Sequence, residues 1–130
     1  MEKEFLPYDL ALRMKQLGFE EPCLACYYNA GEKLDIDEYV GHGQYTVLAP
    51  LFQQAFRWFR ENYNLFHEIN IDKTMEPKFA YTIIEYESAQ FFEGFEEDIL
   101  SEHLYYKHEE AELACLEKMI EILEKNECSK

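Results

Sequence analysis

Ala49-Pro50-Leu51-Phe52-Gln53-Gln54-Ala55-Phe56-Arg57-Trp58-Phe59-Arg60-Glu61-Asn62-Tyr63-Asn64-Leu65 is the stretch around which the rest of this chain has to fold. At about 100° per residue, Phe52, Ala55, Phe56, Phe59 and Tyr63 fall in one narrow stripe. A helix over 49–63 is expected, with Pro50 near its start and Asn64 as a left-handed stop. The stripe must face the core. Trp58 and Leu51 lie on one shoulder of it, and Arg57, Arg60 and Gln53 lie towards the other side.

On the N-terminal side, Leu6-Pro7-Tyr8-Asp9 opens a first helix, with Pro7 suited to its first turn. Leu10, Met14 and Leu17 recur at spacings of four and three and give it one apolar face. Gly18 stands where a left-handed cap is wanted, and Phe19 is placed to pack back on Met14. Leu24 to Tyr28 is short, apolar and aromatic and reads as a strand. Residues 29–45 read as a long polar loop with a short edge strand near Tyr39-Val40. Its Asp35-Ile36-Asp37-Glu38 run lacks the glycine and closing glutamate of a calcium loop.

On the C-terminal side, Leu65 to Asp72 alternates, with Leu65, His67, Ile69 and Ile71 on one face and Phe66, Glu68 and Asn70 on the other. Lys73-Thr74-Met75-Glu76-Pro77 turns the chain, and Lys78 to Glu87 resumes as a second strand, so a hairpin is expected. Ile99 to Tyr106 is a candidate for a further strand. The last helix runs from about Glu109 to Lys125 on a stripe of Leu113, Leu116, Ile120 and Leu123, widened by Ala114, Met119 and Ile122. The whole predicts one α+β domain over 1–130, in the order α-β-α-β-β-(β)-α, with a 126–130 tail. A small, mostly antiparallel sheet of three to four strands would pack against three helices.

Composition bounds function more tightly than any motif does. With 48% hydrophobic and 16% aromatic residues, the chain lies outside the disordered class in spite of its charge. The formal charge is −15 and is unevenly placed. Residues 85–112 hold ten acids against Lys107 alone, a net of −9, whereas residues 47–84 hold four acids and four bases, a net of zero. Such a field repels phosphates, so direct nucleic-acid binding is not expected. No apolar run reaches a membrane-spanning length. Met1-Glu2-Lys3-Glu4-Phe5 lacks the order of a signal peptide, so a cytoplasmic location is expected.

Catalytic chemistry is poorly supplied. The serines, Ser88, Ser101 and Ser129, stand in no nucleophile elbow, and the five glycines form no phosphate-cradling loop. His108-Glu109-Glu110-Ala111-Glu112 begins like a zinc-protease helix but has Glu112 where the second histidine belongs. Cys23-Leu24-Ala25-Cys26 has redox or zinc spacing. It runs straight into Tyr27-Tyr28 as strand, however, and reads as buried thiols rather than a centre at a helix start. Neither an enzyme nor a cofactor is expected.

Two binding surfaces remain. The acidic surface, with Glu93, Glu96, Glu97, Asp98 and Glu102, fits a basic protein. The neutral half of the chain offers Arg57, Trp58, Arg60 and Tyr81 to a small anionic ligand such as a signalling nucleotide, a ring stacking the base and arginine holding phosphate. Tyr27, Tyr28, Tyr81, Tyr86, Tyr105 and Tyr106 cannot all be interior, and this aromatic surplus points to a homo-oligomer.

Three segments carry a resemblance. They are Leu6-Pro7-Tyr8-Asp9-Leu10-Ala11-Leu12 with Leu17-Gly18-Phe19-Glu20-Glu21-Pro22-Cys23, then Ala49-Pro50 through Gln54-Ala55-Phe56-Arg57-Trp58-Phe59-Arg60, then Glu109-Glu110-Ala111-Glu112-Leu113-Ala114-Cys115-Leu116. Together they resemble a group of small uncharacterised proteins encoded by bacteriophages and prophages, especially those of Bacteroides-type hosts. Cys26 is atypical beside the tyrosine or other residue expected there in that group. The resemblance implies a phage accessory protein: a counter-defence factor that binds a host protein, a ligand-sequestering protein, or a minor virion component.

Overall fold

The computed structural model of the chain describes residues 4–28, 33–35, 47–72, 78–86, 95–100 and 104–128. Within them the order is α1 (Tyr8–Gln16), β1 (Ala25–Tyr28), β2 (Lys33–Asp35), β3 (Val47–Ala49), α2 (Phe52–Tyr63), β4 (Leu65–Asp72), β5 (Lys78–Tyr86), β6 (Phe95–Leu100) and α3 (His108–Cys128). The class is α+β, with three helices as expected. The strands, however, form two three-stranded antiparallel sheets, ordered β2-β1-β3 and β4-β5-β6, where a single sheet is predicted. The chain divides into two compact units, Met1–Ala55 with Ile120–Lys130, and Phe56–Met119.

In the first unit, α1 follows the sequence pattern closely. Leu10, Ala11 and Met14 are buried on its inner face. It ends at Gly18, whose φ of 103° is left-handed. The Phe19 amide donates to the Met14 carbonyl at 3.0 Å and the Gly18 amide to that of Lys15 at 3.0 Å, the paired bonds of a Schellman close. A Cβ at Gly18 would meet nothing within 4 Å, so only the backbone opposes a side chain there. Gly18→Ala is therefore expected to cost about 1 kcal/mol, read as a lower urea midpoint with an unchanged slope. Arg13 spans from α1 to Glu124, with Nε donating to Oε2 at 3.0 Å and Nη2 to Oε1 at 2.6 Å. That hydrogen bond holds the Glu124 carboxyl below the usual range. Both side chains are about a third exposed (29% and 36%), so the pair contributes at most about 1 kcal/mol.

The sheet of this unit explains why the aromatic helix starts later than its sequence suggests. A residue before proline is pushed into the extended region, and Ala49 accordingly ends β3, paired with Ala25. The Leu6 amide donates to the Pro50 carbonyl at 3.0 Å, and Leu51 bridges Phe5. Residues 49–51 are thus committed to strand pairing, and α2 begins at Phe52. Phe5, Ala25 and Ala49 are buried together, with Tyr27, Leu34 and Leu51 packed against them. β2 pairs with β1 inside what reads as a long loop; the edge strand expected near Tyr39-Val40 lies outside the described residues.

The second unit is built on the hairpin. β4 and β5 pair along their whole length, from Leu65 opposite Glu85 to Asp72 opposite Lys78, and the left-handed Asn64 (φ 55°) makes the expected corner after α2. Burial fades along β4: Leu65 is 1% exposed, His67 and Ile69 are half-buried, and Ile71 is 54% exposed. β6 adds to β5 at Phe95–Leu100, starting earlier than the predicted return over Ile99–Tyr106; of that stretch Ile99 and Leu100 pair within β6 and Tyr105 bridges to Phe79. Along α3, Ala111, Cys115, Leu116, Met119 and Ile120 are fully buried, whereas Leu113 is half-buried. The inner face is rotated by part of a turn from the predicted stripe, because Cys115 and Met119 fill the centre. Over the described residues, no helix is long and apolar enough to cross a membrane.

Candidate functional site

The aromatic helix lies differently from its sequence reading at two positions. Phe56 and Phe59 are fully buried, as the stripe requires, but Tyr63 is 36% exposed and Trp58 only 6%. Tyr63 sits in the last turn, just before the left-handed Asn64, so its ring reaches the rim. Trp58 packs edge-on to Phe59 and Tyr63, with centroids 5.1 and 5.3 Å away. The expected exposed tryptophan shoulder is therefore core. Tyr81 is likewise interior, 7% exposed, and is stacked with Tyr105.

Of the two arginines, Arg57 is exposed and Arg60 half-buried, three apart on one helix and hence neighbours. Arg60 acts on a residue the sequence reading placed only as a strand position. His67 stacks on Phe56, with ring centroids 3.5 Å apart and planes 8° from parallel. Burial lowers its pKa from 6.5 to about 4, with the charges of Arg60 and then His108 adding to the effect. His108 opens α3, with Nδ1 at 3.3 Å from a Glu112 carboxylate oxygen and its ring edge-on to Phe79. Glu112 itself is 8% exposed. The two ring pairs tie α2 to β4 through Phe56 and His67 and β5 to the start of α3 through Phe79 and His108.

The thiols behave as buried core. Cys23, Cys26 and Cys115 are free and buried. Burial pushes Cys23 and Cys115 each up to about 12, far from the range of a reactive thiolate. Cys23 Sγ donates to the Glu21 carbonyl at 3.3 Å. Among the described residues no His, Cys, Asp and Glu side chains gather to hold a metal ion.

The acidic segment forms the other candidate surface. Glu96, Glu97 and Asp98 are consecutive in β6, an edge strand of the second sheet. Glu97 stands opposite Glu85, and Asp98 opposite Ile84. Glu93 and Glu102 lie outside the described residues. Following β6, Glu109 and Glu110 are exposed in the first turn of α3. Leu104 and Tyr106, 45% and 68% exposed, precede them, with the Lys78 ammonium 5.4 Å from the Tyr106 ring centre. The sequence reading covers both with a candidate strand over Ile99–Tyr106, but they belong to neither strand nor helix. Comparison with protein-family models, with curated proteins and with solved structures finds no match to the chain.

Proposed function

We propose that the protein is a non-enzymatic binding module that engages a basic protein partner through the acidic edge of its second sheet. The observation that carries this reading is the β5–β6 register, which sets Glu97 directly across from Glu85. Like charges opposed in a sheet destabilise it. A cationic partner placed along this edge would relieve that opposition. Exposed Glu109 and Glu110 extend the same sign of charge, and Leu104 and Tyr106 offer apolar area of the kind that anchors interfaces. The likeness to phage-encoded proteins makes a host protein the natural partner and counter-defence the natural role. The nucleotide reading keeps Arg57 and Arg60 but has its stacking rings, Trp58 and Tyr81, packed among other rings.

The test compares two baits in one host extract: the native protein and the Glu96→Lys, Glu97→Lys, Asp98→Lys variant. A basic protein that the native bait retains and the variant loses is the expected result. Equal retention by both baits would sink the acidic-edge reading.

A further inference from the structure

The two edges of the sheet β4-β5-β6 differ in character. β6 carries Glu96, Glu97 and Asp98 in succession, the kind of charge that keeps foreign strands away. β4 has no such run of charge, its two acids, Glu68 and Asp72, being separated along the strand. It pairs with β5 for eight residues without a register shift, contains neither proline nor lysine, and has no strand on its other edge among the described residues. Its second half is open: Glu68 and Asn70 are exposed, and Ile71 is 54% exposed. Asn70 Nδ2 donates to Thr82 Oγ1 at 2.9 Å, back towards β5. Alternation puts Ile69 and Ile71 on one face and Glu68 and Asn70 on the other.

We infer that the β4 edge over residues 68–71 accepts an extended segment of another protein as an added strand. Aliphatic side chains of that segment would stand beside Ile69 and Ile71, and a lysine or arginine beside Glu68. Main-chain bonds supply the affinity in this mode and the alternating side chains the choice of partner. Two observations favour this occupant over a second copy of the chain. Each copy carries −15 overall, so self-pairing brings like fields together, whereas a cationic strand meets the exposed Glu68 of this edge. The open stretch is also short, too little for the area a stable dimer buries and well matched to a peptide. The inference goes beyond the acidic-edge reading, since it concerns the opposite edge, and does not depend on it.

The probe is a capped peptide alternating lysine with valine, and the control has proline in place of each valine. The control keeps the charge, but its proline positions have no amide to donate to a ladder. Fluorescence anisotropy is expected to show the alternating peptide binding about tenfold tighter than the control, and hydrogen exchange to show protection of the β4 amides. Ile71→Lys and Glu68→Lys should each weaken binding up to about fivefold with circular dichroism and melting temperature unchanged. Glu109→Lys with Glu110→Lys should leave peptide binding intact, which separates failure here from failure at the acidic edge. Equal affinity for both peptides, or protection away from β4, would overturn the inference. So would sedimentation showing a dimer with β4 amides already protected in the absence of peptide.

Discussion

Replacing Phe56 with alanine is expected to remove a large share of the stability of the protein. The ring is fully buried and lies face-on to His67 at 3.5 Å, so its loss empties the space between α2 and β4. Truncations of this kind cost roughly 3–5 kcal/mol, against a total of about 5–15 kcal/mol for an ordinary domain. Tyr63→Ala is the matched control. It removes a ring from the same helix, but one that is 36% exposed, and its cost should stay near 1 kcal/mol. Urea denaturation of both variants reads the contrast directly. Similar losses for both would mean that the buried stripe is not centred on Phe56.

Acidification is expected to destabilise the protein through His67. In the folded state its pKa is about 4, because of burial and then the charges of Arg60 and His108; in the unfolded chain it is near the usual 6.5. Between these values the unfolded state holds a proton that the folded state does not, so stability falls as pH drops from 6.5 to 4. Below 4 both states are protonated and the contribution levels off; above 6.5 both are neutral. A displacement of this size is worth roughly 3 kcal/mol for a fully shielded group. Partial exposure of the ring leaves about half of that after solvent screening. His67→Phe keeps a ring beside Phe56 and removes the titration. The stability difference between native and variant should therefore change across this window and be flat outside it. A difference that does not vary with pH would show that His67 titrates alike in both states.

The sequence reads best where the deciding interactions are local. Gly18 with Phe19, and Asn64 after Tyr63, carry backbone geometry in one or two residues, and both are found as expected. The α2 stripe is legible for the same reason, since Phe56 and Phe59 are a helical step apart. β3 is not, because Val47-Leu48-Ala49 is too short to show a period, and its state is set by Pro50 after it and by pairing with a distant β1. The same non-local pairing divides the strands into two sheets, for which no sequence period exists. At the candidate sites, the consecutive acids 96–98 read as charge but not as part of strand β6, while the packing of Trp58 and Tyr81 depends on Phe59, Tyr63 and Tyr105 around them. Composition suggested stacking surfaces there; tertiary packing uses the rings as core.

The proposed role of the acidic edge rests on the register of β5 against β6. Glu85 and Glu97 are register partners across the ladder, and the like-charge opposition this sets up is what the proposed cationic partner would relieve. Charge reversal identifies which residues matter, but the strength of the electrostatic contribution is read most directly from salt. The measurement is the dissociation constant of the captured basic partner for the native protein, followed from low to high ionic strength. Attraction between exposed opposite charges is screened over about 10 Å at 0.1 M salt, so the affinity is expected to fall steeply as salt rises. An affinity that holds constant across the same range would contradict the account.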